Sequence, residues 1–205
     1  MSFIIMWLAV MFPLVFSPGP ANIVFAASGA KVGVKRSLPL MLGIDTVFIL
    51  KSIILGFGFG QLFEQYPASL QILQFFGACY ISYLAISFLK SNANNASQPE
   101  KILGFKDGVI IQCLNAKGWI MVILMFSLFA EPAQTQFGAG GIWVLICLLA
   151  ALNISMHLVW ISFGQLITRL TGNQLNQYKQ NIFYCLSLLI VAAWLLITNP
   201  FWQAV

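Results

Sequence analysis

Ser17-Pro18-Gly19-Pro20, continuing into Ala21-Asn22, is the string in which chemistry is most concentrated. Two prolines around a glycine delete two amide donors and leave nearby carbonyls without helical partners. Inside an apolar span, such backbone is tolerated only where protein buries it or where it lines a watery cavity. Pro20 is a good first helical residue, so a helix restarting there would aim its free N–H groups and positive dipole end at the break. That end suits a carboxylate. A simple proline kink is the structural alternative. A second irregular string, Leu114-Asn115-Ala116-Lys117-Gly118-Trp119, carries an ionisable residue.

Other polar residues interrupt otherwise apolar stretches, and each is a functional candidate because burying charge in a membrane is costly. Lys117 falls about ten residues into its segment, about 15 Å at the helical rise and near a bilayer midplane; Asn115 stands beside it. Asp45 and Lys51 are about 240° apart on a helical wheel, so they do not share a face. Asp45 lies nearer the cytoplasmic end, where a solvated role is the alternative, and Lys51 could meet Asp107 or Asp45 of another subunit. Asn153, His157, Trp160 and Gly164 recur at i, i+4, i+7 and i+11, a stripe expected to point into a bundle. His157 is the only histidine and could carry a proton in the physiological range, or simply bond across helices.

The elements that position these residues follow from composition. Of 205 residues 60% are hydrophobic and only 7% charged, and the mean hydropathy is +0.90. A soluble domain carries roughly 25% charged residues, and a disordered chain needs low hydrophobicity with high charge. Both are excluded. The net charge of +5 is scattered rather than striped, which argues against a nucleic-acid partner. Six apolar stretches approach the roughly 20 residues needed to span a bilayer: about Phe3 to Ala30, Leu40 to Gly60, Ala68 to Leu89, Gly108 to Ala130, Gly141 to Ile167 and Ile182 to Thr198. Long uniform runs are not the alternating segments of a barrel. No Lys or Arg precedes the first stretch and no cleavage site follows it, so it is expected to remain in the mature protein.

Pro39, Pro67, Pro132 and Pro200 mark expected segment ends, and Pro99 lies in an Asn/Ser-rich linker. The loop after the first span holds Lys31, Lys35 and Arg36, that after the third Lys90, Lys101 and Lys106, and that after the fifth Arg169 and Lys179. The positive-inside rule then places both termini on the outer side, with Glu64 and Glu131 in outer loops. Cys79, Cys113, Cys147 and Cys185 form no CxxC pair or Cys/His metal spacing; they read as small packing residues, and neither metal nor cofactor is expected. Three spans per half force the second half to enter from the opposite side, the geometry of an inverted repeat. The expectation is an all-α integral membrane protein, a single transmembrane domain over 1–205. Its six transmembrane helices form two inverted three-helix halves, about 1–90 and 105–205, joined by a cytoplasmic linker of about 91–104. The first and fourth helices are broken.

With these residues in place, the chain resembles the lysine exporter/homoserine–threonine exporter (LysE/RhtB) family of bacterial amino-acid efflux proteins. The resemblance rests on Ser17-Pro18-Gly19-Pro20-Ala21-Asn22, on Ser28-Gly29-Ala30-Lys31-Val32-Gly33, on Leu114-Asn115-Ala116-Lys117 and on Gly77 to Ala85 in the third span. Ala116 stands where the family usually has proline, which implies a milder second break. The third span and Trp143 to Leu170 look most similar to the cysteine/O-acetylserine exporter subgroup.

The resemblance implies a secondary exporter in the bacterial inner membrane, a multi-pass antiporter for small neutral amino acids such as cysteine, O-acetylserine, homoserine or threonine. The substrate carboxylate would sit at Ser17, Pro18, Gly19, Pro20 and Asn22 and at Asn115 to Gly118, helped by Lys117. Asn22, Asn153 or freed carbonyls would take its amine. Asp45 and His157 are the candidates for ion coupling. Protons are the expected driving ion, because the chain has no P-loop. Partners would be the amino acid and membrane lipid, with a homo-oligomer possible; Gly56 to Gly60 carries GxxxG spacing that permits close helix approach within or between chains. An enzyme is disfavoured by the lack of a G-x-S-x-G string and by Ser155 and His157 lying about 200° apart. A channel or structural subunit is the remaining alternative, although no ring-forming filter motif is present.

Overall fold

The computed structural model describes residues 2–59, 68–93, 102–171 and 174–197, and among these every regular element is helical, with no strand. The helices are α1 (Phe3–Phe16), α2 (Pro20–Ile54), α3 (Ala68–Ala93), α4 (Phe105–Cys113), α5 (Ala116–Phe137), α6 (Gly141–Thr171) and α7 (Gln174–Ile197). Pro20–Gly58 and Ala116–Leu170 are helical stretches long and apolar enough to cross a membrane. Phe3–Phe16, Gln74–Ile86 and Ile182–Ile197 are shorter apolar runs. Glu64, Pro67, Asn94, Pro99, Lys101 and Pro200 lie outside the described residues.

Both expected breaks are present. α1 stops at Phe16 because Pro18 and Pro20 have no amide to offer the carbonyls of Leu14 and Phe16. The Ser17 hydroxyl takes the Leu14 carbonyl instead, at 2.9 Å. The second break needs no proline: α4 ends at Cys113 and α5 begins at Ala116, with Asn115 as N-cap. Its side-chain oxygen accepts from the Gly118 amide at 3.3 Å, the standard way an N-cap satisfies an orphan donor.

Other boundaries differ from expectation. The basic stretch after the first span is a tight turn rather than a loop. Gly33 alone turns the chain, at φ +75°, a conformation open to glycine. The Val34 amide donates to Gln165 Oε1 at 3.2 Å, and the Ser37 hydroxyl to the Gly33 carbonyl at 2.9 Å. Pro39 therefore lies inside α2, and Pro132 inside the last turns of α5. Leu55–Phe59 winds as a π-turn with Gly58 at φ +110°, and Gly56 faces the Phe126 ring of the same chain. A Cβ on Gly56 would lie 2.7 Å from Phe126 Cζ and 3.0 Å from Ile142 Cγ2, a close approach within the chain, while Gly60 lies outside the described residues. Cys79, Cys113 and Cys147 are exposed and only Cys185 is buried. On the outside of a lipid-facing bundle a small apolar residue has no need of a protein partner.

Packing joins the two ends of the chain. α2 crosses α6 where Gly29 and Gly164 face each other's helices. A Cβ on Gly29 would lie 1.9 Å from the Ile161 carbonyl oxygen, and one on Gly164 would lie 1.9 Å from that of Ala26. α2 crosses α4 in the same manner through Gly43 and Gly108. α3 lies along α7, with Gln74 donating to the Leu195 carbonyl at 2.6 Å. One core cluster joins α2, α3, α6 and α7; a second joins α1, α5 and α6 through Trp7, Met11, Met125 and Leu149. Exposed Lys35, Arg36, Lys106 and Arg169 gather at the end that holds the glycine crossings. The opposite end holds Phe3 against Phe129 and Phe137.

A methyl group at these crossings meets backbone that cannot step aside. Gly29→Ala and Gly164→Ala should each cost more than about 4 kcal/mol, the range reserved for severe overpacking or strain, and yield no monodisperse protein on size exclusion in detergent. Gly104→Ala, with nothing within 4 Å of the new Cβ, should elute as wild type. Normal elution of Gly29→Ala would refute this packing.

Candidate functional site

The two breaks meet. At the first, the carbonyls freed at the end of α1 are taken up by side chains. Asn22 Nδ2 donates to Val15 at 2.9 Å and to Ser17 at 3.0 Å. Lys117, from the second break, donates to the Ser17 carbonyl at 2.9 Å and contacts the Ser17 hydroxyl at 2.7 Å. An ammonium beside the negative end of a helix dipole is favourable, and each charge-assisted bond is stronger than a neutral one. Gly19 lies under the lysine stem, since a Cβ there would sit 3.0 Å from Lys117 Cδ and 3.2 Å from Nζ. At the second break, Asn115 Nδ2 donates to Gln112 Oε1 at 3.0 Å.

These groups surround a polar chamber of about 30 Å³, room for one or two waters and too small for an amino acid. Gly19, Pro20, Asn22, Asn115, Lys117, Asn153 and His157 line it, joined by Gln112 and Gly118. Ser17 and Pro18 face a second, mostly apolar cavity of about 550 Å³, walled by Ile120, Leu124, Trp194 and Leu195 among others, with Gln74 and Lys117 its other polar lining residues. Leu14, Gly19, Pro20, Lys117 and Met121 line both spaces and so form the partition between them.

The α6 stripe points inward: Asn153 and His157 are buried and Trp160 is half-buried. Asn153 Nδ2 donates to the Leu149 carbonyl of its own helix at 3.0 Å. His157 Nδ1 lies 2.7 Å from Asp45 Oδ1, a pairing of α6 with α2 in which both side chains are buried. Asp45 is thus not solvated, and its other oxygen has no hydrogen-bond partner. Phe25 covers the imidazole, ring centroids 4.5 Å apart. Asp45 does not line the chamber; His157 stands between the two. Within the chain Lys51 does not meet Asp107. Its ammonium donates to the Gln112 carbonyl and lies 4.3 Å from the Trp119 ring centroid, whereas the Asp107 carboxylate accepts from the Gly104 amide at its own helix start. Ser155 is exposed and bonded to the Ala151 carbonyl, away from His157. Among the described residues no group of three His, Cys, Asp or Glu is placed to hold a metal ion.

Gln112 is a polar lining residue that the sequence reading passed over, as it did the apolar Leu14, Val15, Phe48 and Met121. Its position three residues before Asn115 on an otherwise apolar half-helix was the available signal.

The chain is similar to known proteins over most of its length. The cysteine/O-acetylserine efflux protein of Klebsiella pneumoniae is 29% identical over 181 residues, 85% of this chain and 90% of that protein. The protein of the same name from Escherichia coli is 28% identical over 176 residues, 85% of this chain and 87% of that protein. No solved structure matches. The family described as LysE type translocator matches residues 12–199, and the chain belongs to that family.

Proposed function

We propose that this protein is a proton-coupled secondary exporter of small zwitterionic amino acids, working in the bacterial inner membrane with both termini outside. The observation that carries the reading is the meeting of two broken helices at one polar chamber. Helix starts at Pro20 and Ala116 offer amide N–H groups and positive dipole ends to a carboxylate, and Lys117 adds a mobile cation. Asn153 and the freed carbonyls serve the substrate amine. The names of the similar proteins favour cysteine or O-acetylserine as substrate, and the gathering of basic residues at one end supports the orientation. α1 with α2 and α3 form one three-span half, α4 with α5, α6 and α7 the other, in inverted order. Rocking of these halves about the breaks would alternate access. Asp45 and His157 carry the coupling proton, because His157 touches both the chamber and the carboxylate.

The chamber as it stands admits water but not substrate, so transport requires Lys117 to leave Ser17 and widen it. The test is counterflow in proteoliposomes with a panel of amino acids. Internal cysteine or O-acetylserine should accelerate entry of labelled substrate, and Lys117→Met should abolish that exchange while still inserting and remaining monodisperse. Labelled flux without acceleration would indicate a channel, and acceleration by none of the panel would remove the exporter reading.

A further inference from the structure

Lys51 is 2% exposed, and among the described residues no carboxylate lies within ion-pair distance of it. What it holds is the C-terminal end of α4. The Gln112 carbonyl, deprived of its helical donor by the break, accepts from the Lys51 ammonium and from the Asn115 amide. The Cys113 carbonyl accepts from the Trp119 indole at 3.1 Å, and the same indole lies under Lys51, a placement that favours a desolvated cation. The first break has the matching arrangement. There the end of α1 is held by Lys117 through Ser17 and by the amide of Asn22. Each lysine comes from the other half of the chain: Lys117 follows the second break and holds the first, whereas Lys51 follows the first and holds the second.

From this reciprocity we infer that Lys51 is a latch on the second break, the counterpart of Lys117 on the first. It is a positioning residue that does not touch substrate: it closes the α4–α5 break when the site is empty and releases the Gln112 carbonyl when the site is loaded. The inference rests on the exporter reading for its place in a cycle, but the latch itself is a contact that can be tested without transport. Lys117 lines the chamber and Lys51 does not, so the two residues should fail differently. Loss of Lys117 removes substrate binding. Loss of Lys51 leaves the loaded carrier able to exchange but slows the return of the empty one.

The experiment compares Lys51→Gln and Lys51→Arg with wild type in three measurements. Net downhill efflux of labelled cysteine should fall about tenfold in Lys51→Gln, the equivalent of one charge-assisted hydrogen bond. Cysteine counterflow should stay within about twofold of wild type, well inside that one-bond range. Lys51→Arg, which can still donate to a carbonyl, should recover most of the net flux. A parallel fall in both fluxes would mark Lys51 as a packing residue, and no change in either would leave it no role; both overturn the latch. The third measurement needs no transport. In a protein cleared of its native cysteines, Ala116→Cys should react with a small membrane-permeant thiol reagent about tenfold faster once Lys51→Gln is added, and an unchanged rate overturns the latch. A wild type that transports nothing while Lys51→Gln speeds this labelling would sink the exporter reading and keep the latch. Should Lys51→Gln not fold, Trp119→Phe, which takes the donor from the Cys113 carbonyl, should show the same faster labelling and the same split between fluxes.

Discussion

Replacing Pro18 and Pro20 with alanine should give a protein that inserts, is at least as stable as wild type, and does not transport. Two restored amides would reach the Leu14 and Phe16 carbonyls and let α1 run into α2. A proline inside a helix costs about 3 kcal/mol relative to alanine, so the continuous helix is the favoured outcome. It would draw the free amides of Ala21 and Asn22 into the helix ladder and turn the Ser17 carbonyl away from Lys117 and Asn22. Losing two charge-assisted bonds from those amides to the substrate carboxylate, at about 1.5 kcal/mol each, corresponds to about a 100-fold loss of substrate affinity. Gly19→Leu approaches the same space from the other direction, since its side chain must displace the Lys117 stem while both prolines stay. Thermal melting in detergent and counterflow on the same preparations check both. Near-normal counterflow by both variants would mean that the break only shapes the bundle.

Asp45→Asn should separate exchange from work. Substrate-for-substrate counterflow should continue in proteoliposomes, while accumulation against a gradient driven by an imposed pH difference should vanish. The carboxyl and the imidazole lie within hydrogen-bonding distance, 2.7 Å; an amide in place of the carboxylate can hydrogen-bond the ring but cannot exchange a proton with it. His157→Gln should give the same result from the other side of the pair. Charge removal is the conservative choice here: leaving one member of a buried pair charged and alone costs about 3–5 kcal/mol, so Asp45→Asn with His157→Gln should be the best-behaved combination on size exclusion. Uphill accumulation retained in Asp45→Asn would assign coupling elsewhere.

What could be read in the chain beforehand depended on whether the cause was local. The first break was legible because proline removes a donor at a stated position, and α1 and α2 divide there. The inward face of α6 was legible from the period of Asn153, His157 and Gly164. The second break was visible only as an irregular polar string, Leu114 to Trp119, in the corresponding span of the second half, since Asn115-Ala116 is an ordinary capped helix start until something interrupts the helix before it. The contacts that give these residues their chemistry were not legible. Asp45 and His157 are 112 residues apart and Lys117 and Ser17 are 100 apart, and no spacing rule reaches that far. A helical wheel could exclude Asp45 from Lys51 but could not supply the third helix that partners either. Gly33 was read as part of a loop because the sequence does not say that one residue suffices to reverse the chain.

The Gly29–Gly164 crossing has a mechanical consequence. Where backbone lies directly on backbone the contact itself has no interlocking side chains and can act as the pin of a pair of scissors. Thr168 bonded to the Ala30 carbonyl and Val34 to Gln165 hold the basic side. Gly19 stands ten residues before Gly29, about 15 Å along the helix. A rotation of about 10° at the pin would sweep the break through roughly 2.6 Å on an arm of that length. That arc is comparable to the length of a hydrogen bond, enough for Lys117 to trade the Ser17 carbonyl for another acceptor while the basic end of the bundle hardly moves.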